Sequence, residues 1–142
     1  MRIYYSNLIL GILLVLVFSF TAACGQTDIE MGKLLYWEAR FDEAIAELDS
    51  VLDAAPDVAE AYLYRGNAYF AKVDFKSAIR DYTKAIEVEP DYALAYYNRA
   101  VTYYSSQGYE MAWKDVHRAQ SLGYEPHVDF IEQLKVDTGR ME

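Results

Sequence analysis

The chain has 142 residues, which sets an expectation of one domain. Its 13 Lys and Arg are scattered and outnumbered by 22 Asp and Glu, for a formal net charge of −9. That balance excludes nucleic acid as a partner, because a phosphate backbone needs clustered cations to displace its counterions. Aromatic content of 15 % excludes a disordered acidic tail, which lacks the apolar surface to fold.

In chain order, Met1-Arg2 is a short positive start and residues 3–23 carry no charge. Leu8 to Phe20 is a thirteen-residue apolar run, followed by the small residues Thr21, Ala22 and Ala23 and then Cys24, the only cysteine. Positive, apolar, small is the order of a secretory signal. The run is short for a membrane span, which needs about 20 residues. Ile3 to Ala23 makes twenty-one, so an uncleaved anchor stays open. Thr21-Ala22-Ala23-Cys24 resembles the lipobox of bacterial lipoproteins, with Thr21 where Leu is usual. The resemblance implies a signal peptide over 1–23, cleaved before Cys24. It also implies a diacylglycerol on the Cys24 thiol, an acyl chain on the new amino group, and a lipid-anchored place in a bacterial cell envelope. Gly25 stands where an Asp would favour inner-membrane retention. The outer membrane is therefore favoured if the source has one, and otherwise the cell membrane.

Beyond the signal the sequence repeats with an offset of 34. Pro56-Asp57-Val58-Ala59-Glu60-Ala61-Tyr62 recurs as Pro90-Asp91-Tyr92-Ala93-Leu94-Ala95-Tyr96. The same offset links Gly32, Gly66 and Ala100, then Ala44, Ala78 and Ala112, then Leu48, Tyr82 and Val116. Tyr62, Gly66 and Tyr69 share one helical face, as do Ala78, Tyr82 and Ala85. Small residues permit close helix approach and the large rings fill the space beside them. Pro90 forces a turn. These positions and their order resemble the tetratricopeptide repeat. The resemblance implies an all-α fold: three helix-turn-helix repeats at 25–58, 59–92 and 93–126, stacked in a right-handed solenoid. Thr27-Asp28-Ile29-Glu30 reads as a capping box opening the first helix. Val128, Ile131 and Leu134 lie at helical spacing, so 127–142 reads as a capping helix that frays from Asp137.

The resemblance places function on the inner surface, built from the first helix of each repeat. A second stripe on those helices defines a candidate peptide-binding groove: Lys33, Tyr36 and Trp37, then Leu63, Asn67 and Phe70, then Tyr97, Val101 and Tyr104. So aromatic a stripe suits a protein or peptide partner with apolar anchors. Some members of the family grip acidic chaperone tails with a clamp of Lys, Asn and Arg. Here Lys33 replaces one Asn, Asn67 matches, and Ile29, Tyr97 and Val101 replace the rest, so that activity does not carry over.

Nothing in the sequence points to catalysis. His117 and His127 have no ligand partner at metal-binding spacing, and the seven Gly form no phosphate loop. The expectation is a non-enzymatic module with no metal, no small-molecule substrate and no cofactor beyond the lipid on Cys24. It would act as an adaptor or assembly factor at an envelope membrane. The alternatives are a self-associating structural protein and an accessory subunit of an envelope enzyme.

Overall fold

The computed structural model describes residues 29–139, so the signal peptide, Cys24 and the capping box before Ile29 lie outside the described residues. Among the described residues all regular structure is helical. Helix α1 covers 29–37. It is followed by α2 (Phe41–Ala54), α3 (Ala59–Ala71), α4 (Phe75–Val88), α5 (Ala93–Ser105), α6 (Tyr109–Ser121) and α7 (Val128–Thr138). Consecutive helices pack against one another, and α3 also touches α5, so helix pairs stack as a solenoid.

One turn is used three times. Ala39, Val73 and Gln107 take left-handed φ values of 59°, 63° and 64°, at the spacing of the sequence repeat. The amides of Arg40, Asp74 and Gly108 then reach back to the carbonyls of Leu35, Tyr69 and Tyr103 at 2.9, 2.9 and 2.7 Å. This is a Schellman stop, which satisfies carbonyls that the ending helix leaves unpaired. Asp74 adds an N-cap to α4, accepting from the Ser77 amide at 3.1 Å.

The second helices end by a different rule. Ala55 and Glu89 leave the helical region with ψ of 88° and 91°. Each precedes a proline, whose ring disfavours a helical predecessor. Where Tyr124 stands in place of that proline, α6 ends instead on Gly123 at φ 87°, and the Tyr124 amide bonds to the Ala119 carbonyl at 3.0 Å.

Within each pair, size is matched across the helix contact. A Cβ placed on Gly32 would lie 2.6 Å from Leu48, and one on Gly66 would lie 2.7 Å from the Tyr82 ring. In the third pair Ala100 joins a core with the smaller Val116. Between pairs runs a polar ladder. Arg65 grips Asp81 with two bonds of 2.6 and 3.0 Å and reaches Asp49 of the preceding pair at 2.5 Å. One repeat later, Arg99 grips Asp115 at 2.7 and 2.9 Å and reaches Thr83 at 2.9 Å. The Asp81 and Asp115 carboxylates are buried and satisfied by these forks.

Helix α7 seats Leu134 in the core with Ala100, Trp113 and Val116. Ile131 is partly covered, and Val128 stays exposed. Asp137 does not belong to a frayed end as the sequence suggests: α7 continues to Thr138, and the Asp137 carboxylate accepts from the Tyr104 hydroxyl at 2.5 Å.

Candidate peptide-binding groove

Three first helices and one ring from a second helix build a groove of about 280 Å³. Helix α1 contributes Tyr36, α3 contributes Asn67 and Phe70, and α5 contributes Tyr97, Asn98 and Val101. The Tyr82 ring reaches in from α4. Five residues of the sequence-defined stripe therefore come together here: Tyr36, Asn67, Phe70, Tyr97 and Val101.

The walls are fixed by ring contacts. Tyr36 stands edge-on to Tyr64 at 6.0 Å, and Phe70 lies 5.7 Å from Phe75. Tyr97 is held between Tyr124 at 4.7 Å and Phe130 at 5.7 Å. At the floor, the Asn67 carbonyl oxygen accepts from the Tyr82 hydroxyl at 2.8 Å and from the Asn98 amide at 2.9 Å. That leaves the Asn67 NH₂ as a donor and the Asn98 oxygen as an acceptor, each without a side-chain partner among the described residues. Burial raises the pKa of Tyr36 and of Tyr82 above the ordinary phenol value, so both phenols stay neutral hydrogen-bonding groups at neutral pH. No lining side chain carries a charge.

Four stripe residues lie elsewhere. Leu63 is 1 % exposed and belongs to the core with Ala78, Tyr82 and Ala95. It fills the joint between α3 and the following pair, so it cannot meet a ligand. Lys33 bridges Glu30 and Glu60 at 2.8 and 2.9 Å and lies over the Tyr64 ring. Those carboxylates, Glu30 first, raise its pKa and compensate its charge at the rim. Trp37 is 72 % exposed and touches the groove only through its edge contact with Tyr36. Its counterparts one and two repeats on are Ala71 and Ser105, off the stripe that Tyr36, Phe70 and Tyr104 share. Tyr104 is taken up by α7, packing on Phe130 at 5.5 Å and bonding to Asp137.

Sequence reasoning assigned Tyr82 to packing and passed over Asn98. Tyr82 does pack, but its hydroxyl passes through the core to the groove. Asn98 gave no repeat signal, since Tyr64 and Glu30 occupy its equivalent positions. The ladder of Arg65, Asp81, Arg99 and Asp115 was also passed over, although both pairs recur at the offset of 34. No group of three His, Cys, Asp or Glu among the described residues is placed to hold a metal ion.

Two family models match this sequence: "Tetratricopeptide repeat" over residues 29–79 and "TPR repeat" over residues 66–107. Residues 29–107 carry tetratricopeptide (TPR) repeats. Among solved structures, the first TPR of Spaghetti (RPAP3) bound to HSP90 peptide SRMEEVD is similar, with a TM-score of 0.77 and 24 % identity over 81 % of this chain and 93 % of that one. The first TPR domain of human RPAP3 gives a TM-score of 0.73 at 24 % identity, covering 83 % of this chain and 97 % of that one. The TPR2B domain of yeast Sti1, in a complex with pHsp70, gives 0.72 at 23 % identity, covering 83 % and 98 %. No curated protein matches by sequence. At these identities the structural likeness speaks to the fold, and the TPR helix-turn-helix solenoid is that fold. What this TPR groove offers a ligand follows from its own residues: apolar walls, one donor and one acceptor at the floor, and no net charge.

Proposed function

We propose that this TPR protein is a peptide-docking module held at a bacterial envelope membrane, acting there as an adaptor or assembly factor. The observation that carries the docking reading is the floor of the groove, where the Asn67 donor and Asn98 acceptor lie between Tyr36, Phe70, Tyr97 and Val101. A peptide unit presents one C=O and one N–H, so an extended segment can satisfy both asparagines while its side chains enter the apolar walls. The acidic peptide in the Spaghetti complex is a poor model for this ligand, because the groove lining is uncharged and Lys33 is already paired. The membrane half rests on the sequence alone: the apolar run, the small residues before Cys24, and only four residues between Cys24 and Ile29.

Binding of a fluorescent peptide library to the full-length protein in detergent tests the docking half. Peptides with aromatic or aliphatic anchors should bind and acidic ones should not. Phe70→Glu and Val101→Glu should each weaken binding by tenfold or more, about 1.4 kcal/mol, with helicity unchanged. Equal affinity in both variants would sink the groove as the binding site. Metabolic lipid labelling tests the anchor: Cys24→Ser should lose the label, and retained label refutes lipidation at that residue.

A further inference from the structure

The open end of the solenoid is apolar where its inner joints are polar or small. In α3 and α5 the faces turned toward the preceding pair carry Arg65 and Ala68, then Arg99 and Thr102. Ala68 and Thr102 are fully buried, and both arginines bond to the preceding pair. The equivalent residues of α1 are Met31 and Leu34, with Trp37 one turn on. They are 47 %, 51 % and 72 % exposed. Terminal repeats of a solenoid ordinarily carry a polar outer face, because no neighbour covers them. At these exposures the three side chains leave roughly 300 Å² of apolar surface, the size at which a patch on a monomer marks a contact site.

We propose that this end face rests on the lipid bilayer that holds the chain, with Trp37 in the interfacial layer. The inference depends on the membrane reading above and adds to it the face and the residues in contact. Its support is the reach of the chain. The small residues before the cysteine end at Ala23 and α1 is helical from Ile29, so four residues, or five Cα–Cα steps, separate Cys24 from α1. Fully extended they span at most about 18 Å. A bilayer that takes either the lipids of Cys24 or the apolar run therefore lies within reach of Met31 and Leu34. An apolar helix face bordered by tryptophan suits the boundary between headgroups and acyl chains. The charge pattern selects the lipid. Residues 25–58 carry nine acidic side chains against Lys33 and Arg40, which disfavours an anionic surface and favours a zwitterionic one.

The test uses the full-length protein in phosphatidylcholine vesicles doped with brominated lipid, which quenches tryptophan on contact. Trp113 lies in the core and serves as the internal reference. The expected result is flotation with the vesicles and loss of about half the Trp37 emission, read as the difference between the wild type and Trp37→Phe. Leu34→Glu should float as well but lose most of that quenching, and added phosphatidylglycerol should reduce it. Flotation without Trp37 quenching overturns the contact and leaves the anchor standing. Absence of flotation overturns both. A Trp37 blue shift before vesicles are added also overturns the proposal. If the shift depends on concentration, a second copy covers the face; if not, residues 1–28 do.

Discussion

Gly66→Ala tests whether helix spacing in the second repeat is set by a single missing methyl. Elsewhere in a helix interior this change gains about 1 kcal/mol from propensity. Here the new Cβ would sit 2.7 and 2.9 Å from Tyr82 Cε1 and Cδ1. Ordinary contact begins near 3.4 Å, so the ring or the helix must give by roughly 0.7 Å. The ring has little freedom: Tyr82 is 2 % exposed and its hydroxyl is tied to Asn67. Overpacking of this kind costs about 1–3 kcal/mol. After the propensity gain, a net loss of up to about 2 kcal/mol is expected, or a fall in Tm of up to about 12 °C for a domain of this size. The double variant Gly66→Ala, Tyr82→Val copies the third repeat, where Ala100 accompanies Val116. The alanine should become neutral or stabilising in that background, giving a coupling of about 1–3 kcal/mol. Urea unfolding of the four members of the cycle measures it. A Gly66→Ala protein at least as stable as the wild type, with no coupling to position 82, would refute the size-matching argument.

Arg65→Met, which places at the second joint the residue found at position 31, should cost about 3–5 kcal/mol by urea unfolding, because it leaves the Asp81 carboxylate buried without its fork. Arg65→Lys should recover only part of this, since an ammonium cannot make two parallel bonds. Val73 is β-branched at φ 63° and its side chain is largely exposed. Val73→Gly should therefore raise stability by about 0.5–1 kcal/mol, visible as a higher urea midpoint at unchanged slope. Alkaline pH should weaken the fold. Burial pushes Tyr92 up to about 12, against about 10 in the unfolded chain, so the native state holds the proton longer. The stabilisation is complete below pH 10 and lost as pH rises from 10 to 12. Tyr92→Phe should flatten that part of a Tm–pH profile.

The fold was legible because repetition samples the same physical constraint several times. Gly32, Gly66 and Ala100 stand opposite Leu48, Tyr82 and Val116, and the shared spacing makes a chance pattern implausible. The groove was half legible. A stripe on a helix gives a direction but not what covers it, and Leu63 and Tyr104 show the difference. One lies beneath the next pair and the other beneath α7, both from parts of the chain distant in sequence. Asn98 was illegible for the opposite reason: its role comes from meeting Asn67, 31 residues away, and not from any periodic property of its own. The left-handed turn residues were hidden too. Ala39, Val73 and Gln107 share a position, yet none has the side chain that such a backbone favours, so the turn is imposed by the helices it joins.

The ladder of arginines says where this array could lengthen in evolution. Each arginine bonds to an acid in its own pair and to a polar group in the pair before, so the joint is transferable. A duplicated second repeat, inserted after the original, would turn its own Arg65 toward Thr83 of the original and present its own Thr83 to Arg99, the partner Arg99 already has. Neither end offers that. Met31 holds the arginine position at the open face, and Leu134 fills in α7 the place that Gly32, Gly66 and Ala100 keep small. The interior is written as a copyable unit and the two ends as stops, so new specificity in such a chain is more readily gained by internal duplication than by extension.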